Sequence, residues 1–169
     1  MFTSSSCGIC SKTDLTTAIP PERVLRPGAV PVISAAELAG LPELLRAAQP
    51  AFAATGGLHG CAWWDGRERR LAAGFLFEDV GRHNALDKLL GHALLTRRLP
   101  LSDGVLVLSG RISFELVQKA SAAGIPVIAA VGAPSSLAIA YAEAAGITLC
   151  GFVRDNRFNV YTHPSRVGA

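Results

Sequence analysis

From residue 34 onward the chain alternates between two hydrophobic rhythms. Leu38, Leu41, Leu44 and Leu45 recur at helical spacing behind Ser34, and Glu37 completes a capping-box pattern with that serine. A helix is therefore predicted from Ser34 until Pro50 stops the run. Phe52-Ala53-Ala54-Thr55-Gly56-Gly57-Leu58-His59 follows, and its paired glycines predict a tight turn with close backbone approach. Residues 60–64 and 70–77 are predicted as two strands of a hairpin, joined by a turn at Asp65-Gly66. The rhythm then returns to helical, with Leu86, Leu89, Leu90, Ala93 and Leu94 on one stripe that ends near Arg97-Arg98.

Past residue 104 the two rhythms take turns. Val105-Leu106-Val107-Leu108 is an unbroken apolar run, the pattern of a strand covered on both faces of a parallel sheet. A helix over about 113–123, a strand over 127–131 and a helix ending at Gly146 come next. A strand over 147–153, the charged turn Arg154-Asp155-Asn156-Arg157 and a last strand over 158–162 complete the pattern. Helix, hairpin, then alternating helices and strands predict a three-layer α/β domain over residues 34–169. Residues 1–33 carry Pro20, Pro21, Pro27 and Pro31 and little periodicity, and are expected to form an extended lead-in.

Composition narrows the class. With 169 residues, half of them hydrophobic, the chain fits one domain with a sizeable core. A net charge of +3, scattered and with few aromatics, argues against a nucleic-acid-binding surface and is compatible with a phosphorylated small ligand. No apolar run reaches the length of a membrane span and no secretory leader is recognisable, so a soluble cytoplasmic protein is expected. Four cysteines do not make a disulfide scaffold at this size.

The polar positions of interest lie in loops. In an α/β sheet, ligands bind beyond the carboxyl ends of the strands, and four such loops here are polar: 78–84, 109–113, 132–136 and 154–157. Ser109-Gly110-Arg111 and Pro134-Ser135-Ser136 lead into helices, where backbone N–H groups and the helix dipole favour anions. Each loop taken alone is more simply a cap or a turn. Arg111, Arg154 and Arg157 on neighbouring loops shift the balance toward a site for a nucleotide-like anion, since a guanidinium fork matches phosphate.

The segment 78–88 is the densest cluster. Asp79 is a candidate for accepting hydrogen bonds from a purine edge, Arg82 and Lys88 for neutralising phosphate, and His83 for relaying a proton. A solvated helix start with internal salt bridges accounts for Asp87 and Lys88, and less well for Asp79, Arg82 and His83.

Ser6-Cys7-Gly8-Ile9-Cys10 places two thiols near the start of the chain. Zinc, redox and sulfur chemistry all use such a pair. A deaminase zinc site needs a Glu two residues beyond its His and a separate Pro-Cys-x-x-Cys. His59-Gly60-Cys61 lacks the Glu, and Cys7 and Cys10 form the one CxxC, so no metal is expected. A dithiol oxidoreductase places its CxxC at a helix start behind a strand, which the lead-in does not offer. A cysteine on an exposed segment suits the acceptance of a sulfur from one protein and its presentation to another site. Cys61 and Cys150 fall in strand patterns and are expected to be buried; His92 and His163 have no partner that the sequence identifies.

Together these stretches resemble the FdhD family of formate dehydrogenase accessory sulfurtransferases. The resemblance rests on Ser6-Cys7-Gly8-Ile9-Cys10, Thr55-Gly56-Gly57-Leu58-His59 and Glu78-Asp79-Val80-Gly81-Arg82-His83-Asn84-Ala85-Leu86-Asp87-Lys88. It continues through Ser109-Gly110-Arg111-Ile112-Ser113-Phe114-Glu115, Ala133-Pro134-Ser135-Ser136 and Gly151-Phe152-Val153-Arg154. It implies a cytidine-deaminase-like fold without zinc and transfer of sulfur from a cysteine desulfurase to Mo-bis(molybdopterin guanine dinucleotide), the molybdenum cofactor of formate dehydrogenase. By the same resemblance Cys7 carries a persulfide and Cys10 assists. The resemblance also implies that Phe152, Val153, Arg154, Asp155, Asn156 and Arg157 contact the cofactor and that the protein is a homodimer. The family has a sizeable region ahead of the CxxC, whereas Cys7 is preceded here by six residues. The expectation is a chain lacking that region, with a cofactor- or guanine-nucleotide-binding module impaired in transfer as the alternative.

Overall fold

The computed structural model describes Leu25 and residues 33–168. A short strand β1 (Ile33–Ser34) leads into α1 (Ala35–Ala47) and α2 (Pro50–Thr55), followed by the hairpin β2 (His59–Asp65) and β3 (Arg70–Asp79). Then come α3 (Arg82–Leu95), β4 (Gly104–Leu108), α4 (Phe114–Ala122), β5 (Val127–Ala130) and α5 (Ser136–Ala145). The hairpin β6 (Thr148–Arg154) and β7 (Arg157–Thr162), a 3-10 turn (Pro164–Arg166) and β8 (Val167–Gly168) close the described chain.

Six strands form one sheet in the order β3-β2-β4-β5-β6-β7. β4, β5 and β6 run parallel, and β2 is antiparallel to both β3 and β4, so β3 points the same way as the parallel core. One face carries Trp63, Leu106, Leu108, Ile128 and Leu149 against the stripes of α3, α4 and α5. The other carries Ala62, Trp64, Val105, Val107 and Val127 against Leu38, Leu41 and Leu45 of α1. Helix, sheet and helices make the three layers expected. β4 and β5 are buried at every position, which is why their sequences are continuous apolar runs rather than alternating ones. Each fully buried leucine of α1 contributes about 1.5–3 kcal/mol of transfer free energy.

The start of α1 is the expected capping box. Ser34 Oγ accepts the Glu37 N–H, and the Glu37 carboxylate takes the Ser34 N–H at 3.1 Å. Leu44 differs from its three neighbours: it is 49% exposed, because the helical rotation carries it off the buried stripe.

Three local expectations change. Pro50 ends one helix and begins another, since proline at the first helical position loses no intrahelical bond. Phe52–Thr55 are therefore the end of the helix α2, and the turn expected at the paired glycines follows it, with Gly56 in the left-handed conformation. The β2–β3 turn is longer than Asp65-Gly66: Asp65 Oδ1 accepts from Arg67 N and Glu68 N, and Arg69 supplies the positive φ. Beyond β7, β8 pairs in parallel with β1 as a two-stranded sheet that the sequence did not announce.

Candidate functional site

Because β3 to β6 share a direction through the antiparallel β2, the four polar loops emerge at one edge of the sheet. The loops after β4 and β5 are laced together by their backbones. Gly132 N donates to Gly110 O (3.2 Å), Ile112 N to Ala133 O (3.0 Å) and Ser135 N to Ile112 O (3.0 Å). Phe152 N of β6 joins the same seam by donating to Gly132 O at 3.2 Å. The seam dictates glycine at 132, where a Cβ would lie 2.8 Å from Arg111 Cα, Arg111 N and Gly110 O.

Asp79 organises the turn from β3 into α3. Its Oδ1 accepts from Gly81 N (2.9 Å) and Asn84 Nδ2 (3.1 Å), and its Oδ2 lies 2.6 Å from Lys88 Nζ. The hydrogen bond from Lys88, followed by those from Gly81 and Asn84, holds the carboxyl down at about 2. Both oxygens are thus engaged within the chain, and Lys88 also donates to Glu78 O, so the helix-start reading describes Asp79 and Lys88 in this state. Asp87 pairs with Lys119 of α4 at 2.6 Å, a structural bridge between helices.

His83, half-buried, sits against the start of α4. Its Nε2 is 2.9 Å from Ser113 Oγ and 3.7 Å from Glu115 Oε2. Ser113 is the N-cap residue of α4 yet makes no capping bond with its side chain. Its hydrogen bond to Glu115 instead holds that carboxyl below the usual range. Ser135 behaves conventionally, its Oγ accepting Ala138 N at 3.2 Å as the cap of α5. Arg82 Nε is buried and without a hydrogen-bond partner among the described residues.

On the opposite face of the same edge, a cavity of about 620 Å³ opens between the end of α1, α2 and the sheet. Its walls include Arg46, Phe52, the Gly56-Gly57-Leu58 turn, His59, Ser109, Val153, Arg154 and Asp155. The volume suits a nucleotide-sized ligand. Arg154 lies over the Phe152 ring (5.8 Å) and Arg46 over Phe52 (5.9 Å), so both guanidinium groups rest on aromatic platforms and neither is in a carboxylate pair among the described residues. A smaller hollow of about 240 Å³ is lined by Phe152, Arg154, Arg157, Phe158 and Asn159. The turn that presents it is two residues long, with Asp155 and Asn156 both at positive φ, the geometry that matches strand twist in a hairpin.

The structure therefore sorts the predicted residues into two neighbouring groups. Val153, Arg154 and Asp155 line the cavity, with Arg157, Phe152 and Asn156 on the adjoining turn; Asp79, Arg82, His83, Arg111 and Ser135 ring the helix starts. His59 joins them, since its ring borders the cavity while Gly110 lies beside its Nδ1 and the Arg82 side chain beside Gly110. Ser109 belongs to a loop the sequence had marked for anions, whereas sequence reasoning passed over His59 and Arg46 as site residues. The paired glycines before His59 were a usable signal; nothing distinguished Arg46 from the other charges of α1. Cys7 and Cys10 lie outside the described residues.

Cys61 and Cys150 are buried in opposite faces of the sheet, as expected, and burial raises both thiols, Cys150 to about 12. His92 packs edge-on against Phe75 at 4.8 Å, and His163 Nε2 lies 2.9 Å from Glu143 O, partners the sequence did not reveal. Among the described residues no His, Cys, Asp and Glu side chains cluster as a metal site, and no helix is long and apolar enough to cross a membrane.

Fold and site define a three-layer α/β protein with a nucleotide-sized cavity at the carboxyl edge of its sheet, walled by Arg46 and Arg154 alongside Glu43 and Asp155. The model of the FdhD/NarQ family matches residues 1–168, and the chain belongs to that family. It is 49% identical over 168 residues to the "Sulfur carrier protein FdhD" of Mycolicibacterium paratuberculosis, covering 99% of this chain and 60% of the relative. Against the protein of the same name from Sulfolobus acidocaldarius the identity is 47% over 164 residues, covering 97% and 61%. A crystal structure described as a "putative formate dehydrogenase accessory protein from Desulfotalea psychrophila" superposes with a TM-score of 0.72 at 35% identity, over 80% of this chain and 59% of that one. The chain spans about 60% of the length of the curated relatives it matches.

Proposed function

We propose that this chain is a sulfur carrier serving formate dehydrogenase, with Cys7 as the carrying thiol and Mo-bis(molybdopterin guanine dinucleotide) as the substrate held by the body. The observation that carries the reading is the cavity of about 620 Å³ with Arg46 and Arg154 in its walls and Arg157 on the adjoining turn. None of the three is in an ion pair among the described residues, which leaves their guanidinium forks available to a phosphate-bearing ligand.

In the loading step the Cys7 thiolate attacks the outer sulfur of a persulfide on a cysteine desulfurase. A new S–S bond forms at Cys7, the donor's S–S bond breaks, and the donor cysteine leaves as a thiolate. Atoms and electrons balance without an added oxidant. Cys10 assists at the same segment. Arg154, Arg157 and Arg111 neutralise phosphate, the N–H groups ahead of α4 and α5 add partial positive charge, and Phe152 offers a face for stacking. Arg82 and His83 border the same edge, and Asp79 holds their helix start in place.

Reach is compatible with transfer. Leu25 N donates to Ala145 O at the amino end of β6, opposite the cavity. The 15 residue steps from Cys10 to Leu25 allow a separation of at most about 50 Å, whereas a seven-residue strand such as β6 is about 23 Å long. A cytoplasmic homodimer acting without zinc completes the reading.

Incubation with a cysteine desulfurase and cysteine is expected to add one sulfur mass to Cys7, read by mass spectrometry of the folded protein. No persulfide on Cys7 would sink the carrier reading. The second reading, a cofactor- or guanine-nucleotide-binding module impaired in transfer, is favoured by the described walls of the cavity, which residues between 42 and 155 supply. It keeps GDP binding, which survives Cys7→Ala and fades with Arg154→Ala and Arg157→Ala, and loses the persulfide.

A further inference from the structure

α2 is a wall of the cavity with almost nothing beneath it. It is six residues long, buries none of them, and its N-cap residue Gln49 makes no side-chain capping bond. A free helix of this length does not hold together in water, so something outside it must fix its position. That fixture is Glu78, from the penultimate position of edge strand β3. Its Oε1 accepts Phe52 N at 2.7 Å and its Oε2 accepts Ala51 N at 2.9 Å. The same Oε1 takes Gln49 Nε2 at 3.3 Å.

The carboxylate thus caps α2 from another element, supplying two acceptors and a negative charge at the positive end of the helix. Its surroundings keep it there. Gln49, 4% exposed, lies across Gly60, where a Cβ would come within 2.4–2.6 Å of the Gln49 amide group. Lys88 Nζ holds the Glu78 carbonyl at 2.9 Å from the other side. What hangs on the attachment is functional surface: Phe52 and the Gly56-Gly57-Leu58 turn line the cavity.

We infer that Glu78 is the positioning residue of the cavity, clamping α2 so that Phe52 and the following turn are held at the geometry a nucleotide-class ligand needs. The inference rests on the nucleotide-binding reading for the identity of the ligand; the clamp itself rests on the three hydrogen bonds. Glu78→Gln removes the charge and one of the two acceptors while keeping the side chain's size.

Two measurements test it. Amide hydrogen exchange followed by NMR is expected to show Ala51 and Phe52 protected in the native chain and at least about tenfold faster in Glu78→Gln, with Leu106 and Ile128 of the sheet unchanged. GDP titration is expected to show affinity about tenfold weaker in Glu78→Gln, and no further loss when the same change is made on a Phe52→Ala background. The proposal is overturned if the two amides exchange freely in the native chain or fail to accelerate in the variant. It is also overturned if GDP affinity is unchanged by Glu78→Gln, or if the loss persists in full without Phe52. If the unaltered chain binds no GDP, the nucleotide reading fails, and the exchange experiment alone decides the clamp. If Glu78→Gln does not fold, protection of Ala51 and Phe52 in the unaltered chain, absent or present, decides it.

Discussion

The two buried cysteines make the thiol pair at the start of the chain accessible to experiment without mutating anything. Cys150 is 0% exposed and its thiol is pushed up to about 12. At pH 8 about one part in 10⁴ of it is thiolate, against about a quarter of a free cysteine with its pKa near 8.5. The difference is more than a thousandfold before steric protection is counted, and Cys61, wholly enclosed against the α3 side, is pushed up further. Reaction of either thiol needs an opening of the core, which lowers the rate again. A disulfide-exchange reagent added to freshly reduced, folded protein at pH 8 is therefore expected to consume two thiols per chain quickly. The remaining two are expected to react only on unfolding in guanidinium. Alkylation and peptide mapping are expected to place the fast pair at Cys7 and Cys10. Three or four fast thiols from folded protein, or a label on Cys61 or Cys150, would refute the burial argument.

Three further outcomes are expected. Ser34→Ala removes one half of the capping box of α1 and is expected to cost about 1 kcal/mol in a denaturant melt. Gly132→Ala forces apart the loops after β4 and β5, with contacts of 2.8 Å on backbone atoms. A loss of about 1–3 kcal/mol, together with weaker GDP binding, is expected from calorimetry and titration. Asp79, held at about 2 in the folded chain, contributes stability that is present above the ordinary aspartate value near 4 and lost as pH falls from there toward 2. Carbon-13 NMR titration of its carboxyl is expected to show that midpoint, and Lys88→Ala to raise it.

The fold was legible wherever one periodicity ran long enough to dominate. The stripe of α1, the continuous runs of β4 and β5 and the left-handed close of α5 at Gly146 all follow from local rules. α2 was not legible, because six residues carry no period and the element is stabilised by Glu78, 26 residues away from Phe52. The β1–β8 pair was hidden for the same reason: two-residue strands exist only through their partner. In the site, Arg154 and Arg157 announced themselves by their place after a strand. Arg46 did not, since a charge on a helix looks the same whether or not a cavity lies beside it. Asp79 shows the converse. Its polar setting marked it as a ligand contact, and the structure engages both its oxygens within the chain.

The packing of α1 sets an order of events during synthesis. Leu38, Leu41 and Leu45 find their buried cover on β2, β4, β5 and β6, with Cys150 and Val153 the last fully buried part of it to be made before Phe158, Val160 and Val167 close its margin. A ribosome adding about 5–20 residues per second needs roughly 5–22 seconds to go from α1 to the end of β6. For that interval an amphipathic helix has made its apolar stripe but not the surface that receives it. Through that window the leucine stripe has only solvent to meet, and slower translation between β4 and β6 lengthens its exposure.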